Sequence, residues 1–344
     1  EELNKVSPEQ RFSEEINKLY KDGVRGLDII GCLACLDTPL AWQIREESLK
    51  DADDTLKSYI AKSLTVLDSE QAWQMRERLL KYASYASNDL KSYIAKSLAG
   101  LNSERAWKMR EELLKGANDD LKQSIVQSLA GLNSERAWQM REELLGGANS
   151  DFKSSIAEGL ADLDSKKAWE MRERLLEGAN RDLRCSIAKS LAGLDSEEAW
   201  EMREELLKGA NDKLKRSIAK SLTGLDSEQA WQMREELLKD PDDSFAYQVA
   251  GSLAGLNSER AWQMRERLSS DFRSYIAEGL AGLNSERAWQ MRERLQEAGA
   301  GKELIAFTIN GNVDTAIAWR RRMGLLPYQI QELIEQEDKA QQQR

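Results

Sequence analysis

Residues 195–225 read DSEEAWEMREELLKGANDKLKRSIAKSLTGL, and this stretch decides the fold. An Asp-Ser pair ahead of a helical run is an N-cap signal, and Asp195 and Ser196 both qualify. A first helix, A, then runs about 13 residues to Lys208. Gly209 stands where a C′ glycine ends a helix. Asn211 or Asp212 opens a second helix, B, which runs to about Thr223, and Gly224 ends it. Both connections are a few residues long, so successive helices pack antiparallel and no room is left for a strand.

Working outward, the same unit recurs. Ten tryptophans (Trp42, Trp73, Trp107, Trp138, Trp169, Trp200, Trp231, Trp262, Trp289 and Trp319) succeed one another at intervals that are 31 residues in six of nine cases and otherwise 34, 27 and 30. Each has Ala before it, Asp or Asn five positions before it and Arg three positions after it. A fixed period of this size is the mark of a solenoid. The reading is an all-α chain: an α-solenoid of about eleven stacked hairpins, divided into an N-terminal capping hairpin (1–37), the tandem repeats (38–310) and C-terminal capping helices with a polar tail (311–344). The irregular intervals fall at the A–B connection, in KYASYASND and RERLSSDF, where insertions cost least, and Pro241 falls there too.

At 100° per residue, Ala199, Trp200, Met202 and Leu206 share one apolar face of helix A, and Leu214, Ile218, Ala219 and Leu222 share one of helix B. The tryptophans therefore read as core rather than as a row that stacks on bases or sugars. The arginine three residues on falls near the centre of that face. Arg141, Arg172, Arg203 and Arg234 are read as a buried structural ladder. Their expected partners are the Asp/Asn caps or the carbonyls ending helix B, with the Trp ring as a cation–π neighbour. The alternative is a row of arginines for phosphates. The glutamate after the arginine, present in nine of the ten units, reads as solvated, with partners such as Glu204 and Lys208.

Helical hairpins with a central Arg and an Asp/Asn at the helix start resemble HEAT-like α-solenoids at the level of class. That resemblance implies a right-handed superhelix and binding of proteins along a groove, with nucleic acid as the rarer ligand.

The most variable positions lie on helix B, one and two before its central Ile and two after it, and are read as outward-facing. Tyr59, Lys62, Tyr93, Lys96, Lys189, Arg216, Lys220, Tyr247 and Tyr275 are the candidate partner-binding residues, because Tyr and Arg are enriched at binding hot spots. The expected function is a non-enzymatic scaffold for a protein or peptide. The alternatives are a nucleic-acid reader and a purely architectural, consensus-like array. A net charge of −10 opposes a nucleic-acid coat. The chain has no histidine, so no nucleophile–histidine couple exists, and neither a cofactor nor a metal is expected. Cys32-x-x-Cys35 stands without a second pair and reads as helix packing. Three cysteines are too few for a disulfide framework and point to a reducing, cytoplasmic setting. No run of 18 apolar residues or signal-peptide core appears in the sequence.

Overall fold

In a computed structural model, the structure describes residues 18, 26–34, 36–83, 88–239, 246–268, 272–280, 283 and 285–297. These residues are helical with no strand among them. The A helices are α2 (Pro39–Lys50), α4 (Glu70–Ala83), α6 (Glu104–Leu114), α8 (Glu135–Leu145), α10 (Lys166–Leu176), α12 (Glu197–Leu207), α14 (Glu228–Leu237), α16 (Glu259–Leu268) and α18 (Glu286–Glu297). The B helices are α1 (Leu27–Cys32), α3 (Asp54–Ser63), α5 (Asn88–Lys96), α7 (Asp119–Ser128), α9 (Ser150–Glu158), α11 (Arg181–Ser190), α13 (Asp212–Ser221), α15 (Ala246–Gly251) and α17 (Arg273–Gly279). The C-terminal capping segment, Pro241 and most of residues 1–37 lie outside the described residues.

The chain divides into two compact units, one ending at Leu175 and one beginning at Leu176. Within the first unit α2, α4, α6 and α8, and within the second α12, α14 and α16, each pack on the B helix of their own hairpin, and inside each unit the B helices pack on one another in sequence. The composition explains why the B row is the close one. Its facing positions are small, with Ala61, Ala95, Ala157, Ala188 and Ala219 fully buried beside Ser97, Ser128 and Ser221. The A helices instead fill the space with Trp, Met and Arg. Large side chains hold helices apart and small ones let them approach, within the usual 8–10 Å range.

The structure settles which residue caps which helix. The serine caps helix A: Ser103 Oγ accepts from Ala106 N and Ser134 Oγ from Ala137 N. The Asp or Asn before it has a different task, as a partner of the tryptophan. On helix B the cap is Asn211, whose side chain accepts from Leu214 N. Gly209 and Gly224 sit at φ 67° and 78°, the left-handed conformation that suits glycine. Val66 and Asp162 occupy the equivalent of Gly224 in their own repeats, at φ 62° and 64°.

Candidate functional site

The ladder of arginines comes first, because it shapes everything else. Arg45, Arg76, Arg110, Arg172, Arg203, Arg234 and Arg265 are 0% exposed, and Arg141 is 1% exposed. Each Cζ lies over the ring of the Trp one turn back, 4.3 Å from the centroid at Trp200 and 4.7 Å at Trp73. The partners are backbone carbonyls at the C-terminal ends of B helices, not the Asp/Asn residues weighed as the alternative. Arg76 donates to Leu64 O (2.7 Å) and Leu67 O (2.8 Å) of the preceding repeat and to Ser97 O (3.0 Å) and Ser97 Oγ (3.0 Å) of its own. Arg234 does the same with Leu222, Leu225 and Ser252. Arg141 and Arg172 donate to Leu129 and Leu132, and to Leu160 and Leu163. The last carbonyls of a helix lack partners inside it and carry its negative end, so a guanidinium is well placed there. Burial pushes Arg76, Arg110, Arg141, Arg172, Arg234 and Arg265 down to about 10, and they remain cations at neutral pH. A phosphate has no access to these groups.

The Asp/Asn residues hold the tryptophans. Trp73 Nε1 donates to Asp68 Oδ1 (2.8 Å), Trp138 Nε1 to Asn133 Oδ1 (3.0 Å) and Trp231 Nε1 to Asp226 Oδ1 (2.9 Å). The serine of the next repeat donates to the same oxygen, as Ser227 does to Asp195 (2.8 Å) and Ser165 to Asn133 (3.2 Å). Asp and Asn serve alike because only the shared Oδ1 acceptor is used.

The helix-B face differs in part from its sequence reading. Tyr59, Lys62, Lys96, Lys189, Lys220 and Tyr275 are exposed, and Tyr93, Arg216 and Tyr247 are half-buried. The positions one and two before the Ile are not uniformly outward, however. Ser58, Ser124, Ser155, Cys185, Ser186 and Ser217 are buried. Within each unit successive B helices pack side by side, so these positions fall towards the seams, and small residues fill them without forcing the helices apart. The outward surface is correspondingly narrower. Cys32 ends α1, while Cys35 lies outside the described residues, and no metal-binding cluster occurs among the described residues.

The candidate residues fall into two groups, one in each unit. In the first unit, α3, α5 and α7 together line an open groove of about 630 Å³. Tyr59, Tyr93 and Lys96 are among its walls, with Asp54, Asp89 and Asp120 at the helix starts and Gln123 and Gln127 on α7. Lys62 and Lys96 lie 6.0 and 5.9 Å from the Tyr59 and Tyr93 ring centres, at the outer limit of cation–π attraction. The three aspartates are not among the residues the sequence singles out. Their signal is nevertheless present in it: a carboxylate in the first turn of three successive B helices, five or six residues before the Ile.

In the second unit the B face is aromatic and basic. The Tyr247 and Tyr275 rings lie 4.7 Å apart at 36°, and the Arg216 Cζ sits 5.9 Å from the Tyr247 ring centre. Three successive helices, α13, α15 and α17, thus present a cation, a ring and a ring in line.

The A face carries a different pattern. Cations in one repeat reach carboxylates in the one before: Arg78 to Glu46 (2.6 Å), Arg105 to Glu70 (2.6 Å), Arg174 to Glu142 (2.5 Å), Arg267 to Glu235 (3.1 Å) and Arg287 to Glu259 (2.6 Å). Lys208 pairs with Glu205 rather than Glu204 (2.9 Å). These are exposed pairs, screened by solvent and each of small effect on stability. They bind neighbouring A helices to one another and leave that face largely self-paired.

No protein-family model matches the chain, and no curated protein does. Function therefore has to be argued from the surface itself.

Proposed function

We propose that the chain is a HEAT-like, non-enzymatic repeat scaffold that holds a protein or peptide along its helix-B surface. The observation that carries this reading is the groove over α3, α5 and α7, lined by tyrosines, a lysine and carboxylates. It is long, open and built from three repeats, a shape that fits an extended segment better than a small molecule. Tyr59 and Tyr93 supply large rings that lose little rotamer freedom on binding. The A face carries a row of ion pairs across repeats, while Tyr59, Tyr93 and Lys96 open onto the helix-B groove. A cytoplasmic setting belongs to the proposal, on the ground of the three scattered cysteines.

The test is a displayed library of random peptides panned on the full chain, with fluorescence anisotropy of the selected peptides. Intact chain and a Tyr59→Ser/Tyr93→Ser variant are compared. The expected outcome is a loss of about tenfold or more in affinity, the size of one to two hot-spot residues. Equal affinity for both chains removes this surface from consideration. Micromolar binding of random RNA or DNA with a steep salt slope would replace the reading with a nucleic-acid one.

A further inference from the structure

The helix-B face of the second unit has a chemistry of its own. On α11 and α13, seven cations stand against two carboxylates, in a chain whose net charge is −10. On α7 and α9 of the first unit the same face has two cations against four carboxylates. Some of the seven are already engaged. Lys213 pairs with Asp182 (2.5 Å), and Arg184 donates to the carbonyls of Glu205 and Leu206 at the end of α12. Arg216 and Lys220 have no carboxylate partner among the described residues, and the half-buried Arg216 Nε has no hydrogen-bond partner there at all. One helical turn separates these two residues on α13, so they are neighbours on its surface. Beyond Arg216, in line, come the Tyr247 and Tyr275 rings.

We infer that this face, from α11 to α17, binds an acidic peptide segment in extended form, with a carboxylate on Arg216 and Lys220 and an apolar side chain on the Tyr247–Tyr275 pair. The inference rests on the proposal that the helix-B face holds a peptide, and it adds the chemistry of the partner. Arg216 is a planar donor fork near an aromatic ring, which suits a carboxylate. Charge complementarity favours an acidic partner over a basic or neutral one, since an unpaired cation facing a like charge repels it. The tilted tyrosine pair favours a peptide over single-stranded nucleic acid. The two rings lie against each other at a tilt and Arg216 stands near Tyr247, so the pair does not present a row of parallel open faces for bases to stack on. Neighbouring B helices lie about 8–10 Å apart, and an extended chain covers about 3.3 Å per residue, so successive subsites are about three residues apart. The favoured pattern is an acidic residue with an aromatic or aliphatic one three residues later.

The experiment uses the full chain and a labelled peptide of repeated Glu-Ala-Ala-Phe units. Its lysine counterpart and an oligo-dT of similar length serve as the other arms. Anisotropy is read at low and at physiological salt. The acidic peptide is expected to bind tightest and to weaken as salt rises, because exposed charges are screened. Lys220→Glu, at an exposed position, and Arg216→Gln are each expected to weaken it by about tenfold, with far-UV circular dichroism unchanged. Tyr59→Ser/Tyr93→Ser, in the other unit, is expected to leave this binding intact. Unchanged affinity in both second-unit variants overturns the inference while the scaffold reading stands on its own tyrosine test. Tighter binding of oligo-dT overturns it too. So does self-association that Lys220→Glu abolishes, since the occupant would then be a second copy of the chain.

Discussion

The Arg172 guanidinium lies 4.4 Å above the centre of the Trp169 ring and donates to the carbonyls of Leu160 and Leu163 in the repeat before it. One side chain thus closes the end of a neighbouring helix. Arg172→Met roughly keeps the volume and removes the donors, so Leu163 O loses its guanidinium partner and Leu160 O keeps only the Leu163 N–H. We predict a loss of about 3 kcal/mol, because breaking one side of a buried polar arrangement is costly. Arg172→Lys is expected to lose a large part of that as well, since an ammonium cannot reproduce the planar fork. Urea unfolding of the two variants gives both numbers. A loss below about 1 kcal/mol for the methionine would show the ladder to be dispensable.

Val66 sits at φ 62° in the turn after α3, where other repeats place glycine. The conformation costs a branched residue about 1–2 kcal/mol, and glycine offsets about 0.5–1 kcal/mol of that gain through the entropy of the unfolded chain. Val66→Gly is therefore expected to stabilise by about 0.5–1 kcal/mol. Gly100→Val, at φ 75° in the next repeat, is expected to destabilise by at least as much. Thermal unfolding monitored by circular dichroism checks the opposite signs.

Asp195 Oδ1 takes both the Trp200 indole N–H (3.0 Å) and the Ser227 hydroxyl (2.8 Å). Asp195→Ala should cost about 1–2 kcal/mol for the two lost bonds. Asp195→Asn keeps the acceptor, as Asn133 does in its own repeat. It is expected to stay within about 0.5 kcal/mol of the parent. If the two substitutions are equally damaging, the carboxylate's charge matters and not its acceptor oxygen.

The pH dependence comes from the pairs on the A face. Hydrogen bonds from Arg105, Arg136 and Arg287 hold Glu70, Glu104 and Glu259 below the usual carboxylate value of 4.5. A carboxylate with a depressed folded value binds fewer protons folded than unfolded. Its contribution is complete above the unfolded value and is lost as the pH falls through the folded one. With no histidine in the chain, stability should be level from about pH 5.5 to about pH 8 and decline below about pH 4.5. High salt should flatten the acid limb by screening exposed pairs. Denaturant midpoints across that range decide it, and a step near pH 6.5 would contradict the reading.

The helices and their stacking are legible in the sequence because one period carries several signals at once. Trp200, Arg203 and Leu206 mark one face, Gly209 and Gly224 mark the turns, and each agrees with the others. The angle of Arg203 on helix A is enough to place it inside. Its bonding partners are not legible, because carbonyls such as Leu191 O come from the previous hairpin and the choice between cap and carbonyl is made in three dimensions. The candidate surface is legible only in part. Helical angles put Cys185 and Ser217 on the outer side of helix B, yet both are buried by the next B helix, and no single-helix projection contains that neighbour. Asp89 and Asp120 escape notice because one carboxylate near a helix start is ordinary, and only the groove brings them together.

Most of the side-chain bonds that join one repeat to the next share a direction. Arg76 reaches back to Leu64 and Leu67, Ser227 reaches back to Asp195, and Arg105 reaches back to Glu70. In these the donor belongs to the later repeat and the acceptor to the earlier one, while Arg184 to Glu205 and Gln123 to Ser155 run the other way. A ribosome releases the earlier repeat first. Each newly emerged hairpin therefore meets its acceptors already presented on a formed surface, and no buried guanidinium has to wait for a hairpin not yet made. Assembly within each unit can proceed from the N-terminal side, one hairpin at a time, at the pace of synthesis. Removing a hairpin from the N-terminal side of a unit strands the arginine behind it, whereas removing the last hairpin strands only carbonyls.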